Sequence, residues 1–273
     1  MTYARDAFDN IPRLPSWVTS GRAEAPEDVA FLSGAVLSYL HLVLGREDVP
    51  QSLLRERLAL RAAEACVTYQ GRPERAGELR DAVQFLQPGD QPGPAGEIYL
   101  SWRRVVERPV SVKALHRALP NVDPNQIAIW LDAGQGAPVA RAASVLEVVL
   151  ENRPRDQTAA LLLTEAALAE AVGGAHVVPP LGLGVKSGGW RKHGAATRVT
   201  ADLTRRAAHL KAAAPRLRAK GAEQAVALFL IRDSVAPTAL TSLRSDRAAR
   251  RFCDRLVALG AVHELTGRDT FRL

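Results

Sequence analysis

Prolines 26, 73, 124, 138 and 237 each head a stretch in which alanine, leucine and valine recur at helical spacing, and Gly45, Gly71 and Gly173 follow the ends of such stretches. This punctuation limits the possible folds more than any other feature. Proline suits the first helical turn, where its missing N–H has no partner to lose, and glycine takes the left-handed conformation that ends a helix. Helices are therefore expected over about 26–44, 51–70, 73–87, 98–105, 111–118, 124–132, 138–151 and 156–172. Aromatic residues make up only 5% of the chain, so small aliphatic side chains must fill the interior. The expected fold class is all-α, a bundle or array of roughly seven or eight helices joined by short connections. No fixed repeat marks a solenoid.

The most apolar run, Val29 to Leu44, contains Ser33, Ser38 and His41 and falls short of the ~20 residues that cross a bilayer. A buried core helix is expected there, with His41 a hydrogen-bonded core residue. The opening MTYARDAFDN carries acids and no apolar core, unlike a secretory leader. Cys66 and Cys253 lie far apart and form no CxxC, so neither a disulfide framework nor a zinc ribbon is indicated. A cytoplasmic protein without membrane contact is expected.

Four segments follow: an irregular lead-in (1–25), a helical domain (26–172), a glycine- and proline-rich linker (173–195) and a basic C-terminal domain (196–273). The linker holds Gly182-Leu183-Gly184-Val185-Lys186-Ser187-Gly188-Gly189, which resembles a phosphate loop but has Val185 where the Walker pattern needs glycine. Its Trp190-Arg191-Lys192-His193 run suits either stacking on nucleic acid or docking on a neighbouring helix.

In the C-terminal segment the period changes. A basic helix over about 195–213 carries Arg205 and Arg206, and further helices are expected at 222–232 and, behind Pro237, to Ser242. Ser245 is a suitable N-cap for a helix in which Ala248, Phe252, Leu256 and Leu259 share one side and Gly260 provides the stop. Two alternating runs, Ala261–Leu265 and Thr270–Leu273, then flank Thr266-Gly267-Arg268-Asp269, as in a β-hairpin. Helix, short helix, long helix and hairpin is the order of a winged helix-turn-helix. Residues 186–273 hold 18 Lys+Arg and 7 Asp+Glu, a balance of +11, while residues 1–185 hold 18 and 22, a balance of −4. Concentrated positive charge of this kind is the footprint of a phosphate-binding surface. The candidate nucleic-acid contacts are Arg244, Arg247, Arg250, Arg251 and Arg255 around the long helix, Arg268 and Arg272 on the wing, and Arg205 and Arg206 on the basic helix.

The segments PEDVAFLSGAVL (26–37), LRERLALRAA (54–63), PGDQPGPAGEIYLSWRR (88–104), RLRAKGAEQAV (216–226) and RLVALGAVHELTGRDTFRL (255–273) resemble the bacterial family called domain of unknown function 1403. That resemblance implies no activity and no site residues. The end of the chain is also similar to the recognition helix and wing of bacterial regulators and to the DNA-binding tails of Fic-related proteins, although the Fic signature itself is absent.

No HxxH, HExxH or Cys-His spacing occurs, and no serine stands in GxSxG. Neither cofactor, metal nor enzymatic activity is indicated. The expected function is regulatory binding of double-stranded DNA. The alternatives are a protein-interaction or self-association module that does not bind DNA, and an enzyme built from dispersed residues.

Overall fold

Helix stops fall at Gly71, Gly173 and Gly260 as the sequence implies, each with a positive φ, its N–H bonded to the carbonyl three residues back and the next N–H to the one five residues back. Gly45 instead donates to the His41 carbonyl four residues back and lies outside the left-handed region. The computed structural model describes residues 15, 17–18, 25–179, 193–217, 219–265 and 271–272 of the chain, and side chains of the 193–213 helix from 199 onward. Its α-helices are α1 (Pro26–Leu44), α2 (Gln51–Tyr69), α3 (Ala76–Gln84), α4 (Gly93–Glu107), α5 (Val112–Ala118), α6 (Pro124–Asp132), α7 (Pro138–Asn152), α8 (Gln157–Ala171), α9 (His193–Ala213), α10 (Ala222–Phe229) and α11 (Asp246–Ala258). Two 3₁₀ turns, Ala214–Leu217 and Pro237–Ala239, flank α10. Strands β1 (His263–Glu264) and β2 (Phe271–Arg272) pair antiparallel, His263 opposite Arg272 and Glu264 opposite Phe271. The described residues are thus mainly helical with one small sheet. Pro73 heads no helix, because the chain turns at Gln70–Gly71 and runs without regular structure over 72–75; α3 starts at Ala76, where Glu78 caps the Arg75 N–H at 2.7 Å.

The chain divides into two compact units, one of residues 1–20, 38–56 and 197–273, the other of residues 21–37 and 57–196. Residues 180–192, which contain the phosphate-loop-like stretch and most of the Trp-Arg-Lys-His run, lie outside the described residues, as does the His193 side chain.

The second unit is built around α8. Its residues Ala159, Ala160, Leu162 to Ala169 are all buried, which only an alanine-rich helix permits, since neighbouring backbones can approach on every side. The Asp156 carboxylate accepts from the Ala159 N–H (3.1 Å), and α8 ends in paired bonds from Gly173 N–H to Glu170 O (3.0 Å) and Gly174 N–H to Ala169 O (2.7 Å). α7 packs along α8 as a hairpin, its open end held by Arg141–Glu170 at 3.1 Å. Trp102, Trp130 and Leu162 fill the surrounding core. Burial pushes the Cys66 thiol in that core up to about 11; the Trp102 indole beside it works the other way, and the charge of Glu165 adds to the rise.

Helix α1 corrects two expectations. Only one stripe of it is buried, with Leu32, Val36, Leu40 and Val43, whereas Phe31 and Leu42 are 65% and 72% exposed. His41 is also exposed and is not a core residue. Among the described residues α1 is the one helix long and apolar enough to cross a membrane by length and composition.

In the first unit, Arg46 closes the turn between α1 and α2 by a bidentate pair with Asp48 (2.9 and 2.8 Å) that holds this carboxyl below its usual range, and Gln51 Nε2 caps the Leu44 carbonyl at 2.7 Å. The closest backbone approach is at Gly221, the N-cap of α10. Its φ is +86°, a Cβ there would meet the Ser242 carbonyl, and Ser242 Oγ donates to the Gly221 carbonyl (3.0 Å). Gly260, at φ +65°, has open space around it. Gly260→Ala is therefore expected to cost about 1–2 kcal/mol, the left-handed penalty alone. Gly221→Ala adds displacement of a neighbouring backbone and is expected to exceed that by at least about 1–2 kcal/mol. Urea unfolding of the two variants checks the difference; equal losses would refute the close approach.

Candidate nucleic-acid interface

Four side chains of α11, Ala249, Phe252, Cys253 and Leu256, are buried on one stripe. Their spacing is that of a helix seated in a groove between neighbours. The stripe is turned from the expected one: Ala248 and Leu259 are only half-buried, while Ala249 and Cys253 take inner positions. Ser245 caps the helix as expected, accepting from the Ala248 N–H at 3.2 Å. At the other end Gly260 N–H donates to Val257 O (2.8 Å) and Ala261 N–H to Leu256 O (2.9 Å), which turns the chain sharply toward β1. His209 on α9 adds a bond from Nε2 to the Leu259 carbonyl (3.0 Å), so both ends of α11 are held.

With the stripe inward, Arg247, Arg250, Arg251, Asp254 and Arg255 are exposed on the opposite side, and Arg244 is exposed just before the cap. Arg244, Arg247, Arg251 and Arg255 carry no ion pair with any other described residue. Arg250 is engaged in an interaction of its own.

The other candidates are placed differently. Arg205 and Arg206 both pair with Asp202, one and the same α9 carboxylate, at 3.1 and 2.9 Å. Such exposed pairs are weak, near 0–1 kcal/mol, and yield readily to a competing anion. Arg272 is committed inward: its Nη2 lies 3.3 Å from Oδ1 of Asp233, whose side chain is 2% exposed. It is not a simple surface cation. Arg268 lies outside the described residues.

Sequence reasoning missed two buried carboxylates of the first unit, Glu56 and Asp233. Glu56 follows Leu53 and Leu54 and precedes Leu58, all fully buried. A charged residue within such a cluster is the signal that could have found it, because a buried charge requires a partner. The Asp233 N–H donates to Glu56 Oε2 at 2.5 Å, and Arg232 Nη1 lies 3.6 Å from Glu56 Oε1.

Cys253 is a packing residue beneath the arginine face. Burial, and then the charge of Asp254, push its thiol from the ordinary 9.0 up to about 12. Both thiols should be nearly inert to a disulfide reagent near pH 8 in the folded protein and react on unfolding. The raised values also set the alkaline behaviour. The unfolded chain loses these protons above about pH 9 while the folded chain keeps them, so their contribution to stability is full below that pH. It declines as pH rises toward 11 and 12. Cys253→Ser should flatten part of that decline in unfolding measured against pH; an unchanged curve would contradict it.

Among the described residues no cluster of histidine, cysteine and carboxylate groups suited to a metal ion is present. No curated protein and no solved structure matches the chain. The family model described as "Protein of unknown function (DUF1403)" matches residues 2–200 and 194–273, and the chain belongs to that family.

Proposed function

We propose that the C-terminal segment is a winged helix-turn-helix and that it binds duplex DNA through the exposed face of α11. The order α10, 3₁₀ turn, α11 and β-hairpin supports the winged reading. So does a bridge between Val235 and Phe271, which exchange N–H···O bonds of 2.9 Å in both directions. That bridge adds a third strand position to the hairpin, between the first helix and the turn that follows it.

The observation that carries the DNA reading is the set of exposed arginines on and beside α11 that have no ion pair with any other described residue, Arg244, Arg247, Arg251 and Arg255. Elsewhere Arg46, Arg72 and Arg141 pair with neighbouring carboxylates at 2.6–3.1 Å, while exposed arginines such as Arg108 and Arg155 have no ion pair among the described residues but stand apart. The α11 set is distinguished by falling together on and beside one helix face. Two exposed acids of α11, Asp246 and Asp254, stand beside these arginines and leave an excess of positive charge. An α-helix fits the major groove, where arginine donates to guanine O6 and N7, and arginines at the groove edge meet phosphates.

Each phosphate contact releases counterions and steepens the salt dependence by about 0.9 per contact on a log–log plot. Arg247→Ala/Arg251→Ala should therefore bind a mixed-sequence duplex more weakly, with a slope shallower by about 2. Fluorescence anisotropy over a salt series measures both quantities. Wild-type affinity and slope in the double variant would exclude this surface.

A further inference from the structure

Strand β2 is held at two successive residues by different forces. Phe271 exchanges backbone hydrogen bonds with Val235, and Arg272 pairs at 3.3 Å with Asp233, two residues before Val235. Asp233 is itself fixed through its N–H to Glu56 Oε2 at 2.5 Å, and Glu56 also faces Arg232 at 3.6 Å. Both carboxylates are buried, at 7% and 2% exposure for Glu56 and Asp233. A hairpin of two-residue strands has little stability of its own, so its direction must come from these anchors.

We propose that Asp233, acting through Arg272, is a positioning residue for the wing, holding β1 and β2 in the pose that meets the phosphate backbone while α11 occupies the groove. The role in binding rests on the DNA reading of this unit. With Asp233 buried and the Arg272 side chain 30% exposed, the pair is screened less by salt than the arginine face, so the wing keeps its pose at ionic strengths that weaken phosphate contacts. When the pair is broken the competent pose is only fractionally populated, and apparent affinity falls by that fraction while the contacts of the bound state stay the same. This separates a positioning role from a phosphate contact, which would change the salt slope.

The test uses the full chain, a fluorescein-labelled mixed-sequence duplex of about two helical turns, and amide hydrogen exchange. Asp233→Asn and Arg272→Gln are each expected to speed exchange at the Val235 and Phe271 amides by roughly tenfold. Each should weaken duplex binding several-fold without altering the salt slope, and the double variant should be no worse than either single one. Arg272→Lys, which keeps the charge, should recover much of the protection. Wild-type exchange at Phe271 in both single variants, or additive losses in the double variant, would overturn the proposal. If the wild-type chain binds no duplex, the DNA reading falls, and exchange at Val235 and Phe271 alone decides whether Asp233 positions the wing.

Discussion

The seating of α11 on its apolar stripe is the interaction on which the C-terminal unit depends. Burying side chains such as Phe252 and Leu256 contributes about 1.5–3 kcal/mol each. Gathering several like charges on the opposite face costs only tenths of a kcal/mol per exposed pair. Packing therefore decides the orientation of the helix, and Arg247, Arg251 and Arg255 are held at the surface whether or not an anion is present. In the proposed DNA complex, phosphates would relieve the residual repulsion, so that a surface slightly unfavourable alone would become favourable. The capped ends, Ser245 at one and Gly260 with His209 at the other, keep that face from fraying.

Local chemistry makes much of this legible in the sequence. Ser245 caps its helix because a side-chain oxygen can satisfy an N–H left open in the first turn. Gly71, Gly173 and Gly260 follow their helices with positive φ, as the stop signals imply. These rules involve residues three to five apart, which is why one sequence suffices to apply them.

The errors came from facts that local spacing does not contain. The apolar content of α1 suggested a core helix, yet composition gives no direction, and Phe31 and Leu42 face outward. On α11 Phe252 and Leu256 hold their expected inner places while Ala249 and Cys253 replace Ala248 and Leu259, because the choice between neighbouring positions is made by what packs against the helix. The Glu56–Asp233 contact joins residues 177 positions apart, beyond the reach of any periodicity. Arg272 shows the same limit from the site's side. Its position next to the chain's end suggests a phosphate contact, while its ion pair with the buried Asp233 carboxylate, far away in sequence, has no signal in local spacing.

The central claim is that the exposed face of α11 is covered by duplex DNA, and arginine-specific footprinting tests it most directly. Phenylglyoxal modification of the wild-type chain, read by peptide mass spectrometry with and without a mixed-sequence duplex, reports each guanidinium separately. The account predicts that Arg247, Arg251 and Arg255 react freely in the isolated protein and are protected by duplex, whereas Arg46, paired with Asp48, reacts alike in both. Equal modification of the three α11 arginines with and without duplex, at a salt concentration low enough for phosphate binding, would contradict it.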